Sequence, residues 1–154
     1  MKNSSNDSIF QYNQSEIKLI LDVAVKDLVG KEKQKGKFSS ESGLTEWNLA
    51  HHLACLLEGL FPLLDCDIEI TKGHIDNKRP DIIIHKRGNN DNNILVIEMK
   101  RGASSKELEK DREKIRNGWF KCLRYQFGAI VNIEKDSKGC LSIEIFKNEN
   151  HQYE

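Results

Sequence analysis

The pattern of apolar residues predicts an α/β protein, a central mixed β-sheet flanked by helices in the order α-α-β-β-β-α-β-β. Three observations carry this prediction. Two stripes of helical period occupy the chain up to Phe61, five short runs of β type follow, and one charged helical stretch divides the third run from the fourth. A helix joining neighbouring strands makes a crossover, so those two strands should lie parallel, with a right-handed connection.

Residues 1–13 are polar and expected to be ragged, ahead of a single domain. The first helix should run from residue 14 to about 29, with Ile17, Ile20, Leu21, Ala24, Val25 and Leu28 on one face. Asn13 or Ser15 can cap its start, and Gly30 should end it. Residues 31–37 then read as a basic connector, most simply a solvated one. A second helix covers about 45–61, capped by Thr45 or Ser42 and stopped by Pro62. Its stripe is Leu49, Ala50, Leu53, Leu57 and Leu60, and Glu46 falls in the middle of that stripe. A first-turn acid gains under about 1 kcal/mol from the helix dipole. That gain accounts for an acid near the helix start but not for its choice of face. His51 and His52 lie off the stripe and read as surface residues.

Residues 67–71 alternate as a short strand, and a turn over 73–79 leads into the stretch from Pro80 to Lys100. This stretch reads as a hairpin. Its two β runs flank a loop rich in Asn and Asp with Gly88 inside it. If the hairpin closes symmetrically about Asn89 and Asn90, Asp81 lies opposite Glu98, Ile83 opposite Val96 and His85 opposite Ile94. Alternate residues share a face of a strand, so Glu98 and Lys100 point the same way, roughly 7 Å apart. Two carboxylates and a lysine then share one face with aliphatic residues. Facing carboxylates repel, and a charge beside an apolar core is costly unless paired or bound to metal. A hard divalent cation, Mg²⁺ or Mn²⁺, removes the repulsion. The plainer reading is an exposed hairpin in which Asp81, Glu98 and Lys100 form an ion-pair ladder.

Beyond Lys100, Ser104 and Ser105 are cap candidates for a charged helix running to about Asn117 and ended by Gly118. Leu108 and Ile115 are its sparse apolar positions, with Trp119 continuing their line, Asp111 beside it and Lys114 one step further round. Residues 125–133 are almost wholly apolar, as a strand buried on both faces should be. Residues 141–146 alternate and should form a half-exposed edge strand.

This pattern resembles the PD-(D/E)xK nuclease superfamily, with its restriction-endonuclease-like fold. Pro80-Asp81 is similar to the PD element, Glu98-Met99-Lys100 to the ExK element, and Glu46 to the acid that many members carry on the helix before the first strand. The order of elements from Thr45 to Ile133 is also that of the family core. The resemblance implies that Asp81 and Glu98 bind Mg²⁺, that Lys100 positions or activates water, and that Glu46 helps hold metal or water. It implies a metal-dependent endonuclease, and DNA is the expected substrate. Asp111 and Lys114 resemble a charged helix pattern of some members, without a catalytic role. A catalytically silent domain that binds nucleic acid or a protein is the alternative, and a small interaction domain with a chance motif is a third reading.

Formal net charge is zero, so no global field favours nucleic acid. The charges are nonetheless uneven. Residues 41–70 hold six acids and no Lys or Arg, whereas residues 100–124 hold nine basic residues against four acids. Arg101, Lys106, Lys110 and Lys114 are the expected contacts to a phosphate backbone, and a solvated helix face is the commoner meaning of such a run. Four cysteines without CxxC spacing argue for reduced structural thiols rather than zinc. No apolar run approaches membrane-spanning length and the N-terminus is no signal peptide, so a cytoplasmic protein that avoids membranes is expected. A homodimer would supply the two active centres that double-strand cutting needs.

Overall fold

The structure is a computed structural model that describes residues 9–35, 46–68, 78–88, 90–135 and 139–151, with the backbone alone for 32–35. Among these residues the fold is α/β. Helix α1 (Gln14–Lys35) and helix α2 (Glu46–Leu60) precede strands β1 (Asp65–Ile68), β2 (Ile82–His85) and β3 (Asn93–Arg101). Helix α3 (Ser105–Lys114), a π turn (Ile115–Trp119) and the short helix α4 (Phe120–Leu123) follow as one continuous path. Strands β4 (Phe127–Ile133) and β5 (Cys140–Lys147) complete a five-stranded sheet of order β1-β2-β3-β4-β5.

Only β3 and β4 pair in parallel; the other neighbours are antiparallel. This is the mixed sheet that the crossover pattern demands. Side-chain alternation sends the two faces of β3 into different layers. Leu95, Ile97 and Met99 pack with the stripes of α1 and α2, while Val96 packs with Leu108, Ile115, Trp119 and Leu123 of the helical path on the other face. Central β4 is buried throughout, and edge strand β5 is half-exposed as its alternation predicts.

Several boundaries differ from the sequence expectation. Gly30 does not end α1, which continues to Lys35; a single glycine costs about 1 kcal/mol in a helix, less than a long packed helix can offset. The reciprocal bonds of Asn13 and Glu16, 2.9 and 2.7 Å, fix its start. Gly118 likewise does not end the third helix. The chain widens into the π turn and runs on to Leu123, where Arg124 caps it in the left-handed region at φ 57°. Thr45, Ser42 and the far end of the expected 67–71 strand lie outside the described residues. In the hairpin, Ile83 pairs with Val96 as expected, but His85 pairs with Asn93 instead of Ile94. A bulge between Ile84 and His85 absorbs the slip.

Gly128 lets the helical path approach the sheet. A Cβ built there would stand 2.5 Å from Ile115 Cγ2 and 3.3 Å from the Phe120 ring. Both neighbours are buried, so neither has space to retreat. Gly128→Ala should therefore destabilise the fold by about 1–3 kcal/mol through overpacking, read as a lowered urea midpoint with unchanged slope.

Candidate active site

Sequence geometry dictates the centre of the site. Glu98 and Lys100 lie on the β3 face that turns toward α3, and Asp81 immediately precedes β2 on the neighbouring strand. Asp81 Oδ2 accepts a 2.6 Å hydrogen bond from Met99 N, which ties the start of β2 to the middle of β3. Glu98 is only 2% exposed. Its Oε1 accepts from Trp119 Nε1 at 2.9 Å and its Oε2 from Lys114 Nζ at 3.0 Å. Lys100 Nζ lies 3.5 Å from Asp111 Oδ2 and 3.8 Å from Glu46 Oε2. Asp81, Glu98, Asp111 and two lysines thus gather between the sheet and α3, with Glu46 at the edge.

Each partner has a local reason to be there. Ser104 and Glu107 form a capping box that starts α3 and sets its rotation. Asp111 and Lys114, three residues apart, then share the face turned to the sheet. The π turn adds residues to the following turn, which places Trp119 under Glu98 and its ring 5.5 Å from Lys114 Nζ. Glu46, the first residue of α2, belongs to the opposite helical layer. It reaches round the end of β3, where Oε1 accepts from Arg101 N at 3.3 Å. Its side chain is 47% exposed, so it sits on the rim and not within the buried stripe. The helix start frees it from packing: the stripe is buried only from Leu49 onward.

The electrostatics follow from burial. Desolvation pushes the Glu98 carboxyl up to about 7, against the opposing pull of Lys114. Burial likewise raises Asp81 and Asp111 above the usual aspartate value. Desolvation outweighs the mutual repulsion of the acids in each case. Burial alone would lower Lys100, but Asp111, Glu46, Asp81 and Glu98 outweigh it and hold its pKa above the ordinary value. Lys100 is therefore a cation at neutral pH. It can orient a water or balance developing charge.

The other nominated basic residues are dispersed. Lys106 and Lys110 are exposed on α3, whereas Arg101 Nε donates to Lys135 O at 2.6 Å and Lys114 is engaged by Glu98. The sequence assigned no role to Trp119 and none in the site to Asp111, and Lys114, expected to meet a phosphate, instead pairs with Glu98. The spacing of 111 and 114 carried a signal, but the position of Trp119 depends on the π turn, which no periodicity foretells.

The donor set suits a hard cation. Asp81 has one oxygen bonded and the other open among the described residues, and Asp111 Oδ2 is buried without a hydrogen bond. Among the described residues no three His, Cys, Asp or Glu side chains stand close enough to share an ion. Lys114 meanwhile occupies Glu98, so a cation would have to displace it. The residues fit Mg²⁺ or Mn²⁺ in kind, with Lys114 as the competitor. Compared with known proteins, the chain matches no family model, no curated protein and no solved structure.

The raised Glu98 pKa predicts a stability slope. The folded value, about 7, exceeds the ordinary 4.5, so the fold prefers the protonated acid. Stability present below pH 4.5 is lost as pH rises to about 7, by on the order of 1–3 kcal/mol. Glu98→Gln, neutral at every pH, should flatten that slope in urea unfolding at acid and neutral pH.

Proposed function

We propose that this chain is a metal-dependent phosphodiesterase of the PD-(D/E)xK kind, an endonuclease acting on DNA. One observation carries the reading: Asp81, Glu98 and Lys100 share one face of two adjoining strands around a buried carboxylate. The mixed sheet with helices on both faces supports a restriction-endonuclease-like core.

In this reading Asp81 and Glu98 hold Mg²⁺, with Glu46 at the rim. A bound divalent cation lowers the pKa of water and offsets phosphate charge. Lys100 stays protonated and stabilises negative charge on the scissile phosphate or on the attacking oxygen. Asp111 holds Lys100 in place, and Trp119 fixes the orientation of Glu98.

A second reading rests on Lys114. It neutralises Glu98 as a cation would, so the site is already satisfied without metal. That favours a catalytically silent domain that binds nucleic acid or a protein.

Cleavage assays with Mg²⁺ on plasmid, single-stranded, branched and RNA substrates separate the two readings. Asp81→Ala and Glu98→Ala should each abolish cleavage, and Glu46→Gln should keep the fold while lowering the rate severely. Undiminished cleavage by the Asp81 or Glu98 variant would reject the site. Lys114→Ala should lower thermal stability without metal, because it leaves Glu98 buried and uncompensated, and added Mg²⁺ should restore it. A Lys114→Ala melting temperature indifferent to Mg²⁺ would favour the silent domain.

A further inference from the structure

The flank of the helical path away from the acid site carries a second feature. A cavity of about 690 Å³ opens between the π turn, α4 and the end of β5. Its rim bears Arg116, Lys121, Arg124 and Lys147, with Glu149 as its single acid. Three cations nearer the acid site are paired: Arg112 with Glu144, Lys114 with Glu98 and Lys100 with Asp111. Among the described residues none of the four rim cations lies within ion-pair distance of an acid. Glu144, the acid of neighbouring β5, already has both oxygens held by Arg112, through Nε and Nη2. Arg116 instead lies over the Phe146 ring, 5.3 Å from its centroid.

The cavity has a built floor. Asn148 is 6% exposed, and its Nδ2 donates to Tyr125 O at 2.9 Å and to Phe120 O at 3.5 Å. Those bonds pin the end of β5 to the end of α4. Arg124 adds an independent sign. It occupies a left-handed helix cap, φ 57° and ψ 33°, where glycine is the unstrained choice. A non-glycine residue there is strained, and Arg124 lines the cavity. Phe120 and Phe146 provide apolar walls, and the volume is that of a pocket for a small organic ligand rather than for a bare ion.

The geometry points to a binding site for a nucleotide phosphate, held by the rim cations with the sugar or ring beside the Arg116–Phe146 pair. The ligand is either a nucleotide unit of a strand or a free nucleotide. Assignment to a strand rests on the nuclease reading, for which the site would anchor substrate away from the cleavage centre; the phosphate site itself does not.

The test is fluorescence anisotropy of a labelled single-stranded oligonucleotide across a salt series in metal-free buffer, with AMP as competitor. The variant is Arg116→Gln/Arg124→Gly/Lys147→Gln, in which glycine relieves the strained cap and guards the fold. Its oligonucleotide affinity should fall about tenfold or more, and the slope of log K against log salt should shrink by about 2, near 0.7 for each phosphate no longer neutralised. AMP displacing the oligonucleotide would identify a free-nucleotide site; an oligonucleotide resistant to AMP would identify a strand site. Unchanged affinity and slope in a folded variant overturns the proposal even if wild-type protein cleaves DNA. Lost affinity alongside a wild type that cleaves nothing upholds the phosphate site and rejects the nuclease reading.

Discussion

A carboxylate buried in the middle of a sheet is the constraint around which this molecule is arranged. Glu98 sits on β3 with sheet neighbours on both sides and a helix above, where an uncompensated charge costs several kcal/mol. Two donors from the helical path, Lys114 and Trp119, reach its two oxygens. Both depend on details of that path: the capping box that orients α3 and the π turn that widens the next turn. The turn in turn requires the missing side chain of Gly128 beneath Ile115 and Phe120. A local electrostatic problem on one strand thereby reaches into the packing of another.

The same alternation that creates the problem isolates it. Odd-numbered residues of β3 from Leu95 to Met99 complete the larger apolar layer under α1 and α2. Even-numbered residues enter the smaller layer, which tolerates polar groups at its open end. Lys100 lies where that layer meets solvent and collects Asp111 from above and Glu46 from round the strand end. A cation surrounded by acids keeps its proton, and a carboxyl in an apolar setting keeps its own. Both pKa values are raised, that of Lys100 by the acids around it and that of Glu98 by burial, so one face holds a firm cation beside a reluctant anion.

The helical path also divides the basic residues of 100–124 between two tasks. Lys100 and Lys114 neutralise acids in the site, and Arg112 clamps Glu144 on β5. Arg116, Lys121 and Arg124 fall on the far flank beside Lys147, around a cavity with little negative charge. A run that looks uniform in sequence yields one half-buried neutralising set and one set around the cavity, with Lys106 and Lys110 left exposed.

By itself the sequence determined the sheet, its parallel pair and the face shared by Asp81, Glu98 and Lys100. Those features follow from periodicity, and a residue's parity along a strand is local information. The Ile83–Val96 register was legible because turn chemistry and the two β runs left little freedom, although the bulge before His85 was not. The rest belongs to contacts between distant segments. The extension of α1 past Gly30, the run of the third helix through Gly118 and the π turn are choices in which packing outweighs local propensity. Lys114 could not be assigned to Glu98 rather than to a phosphate until the rotation of α3 over the sheet was known. Glu46 was legible as an acid near the site, but its place on the rim was set by where α2 begins relative to the end of β3. Charge partners are properties of three-dimensional proximity, and proximity between a helix and a strand is what tertiary structure alone decides.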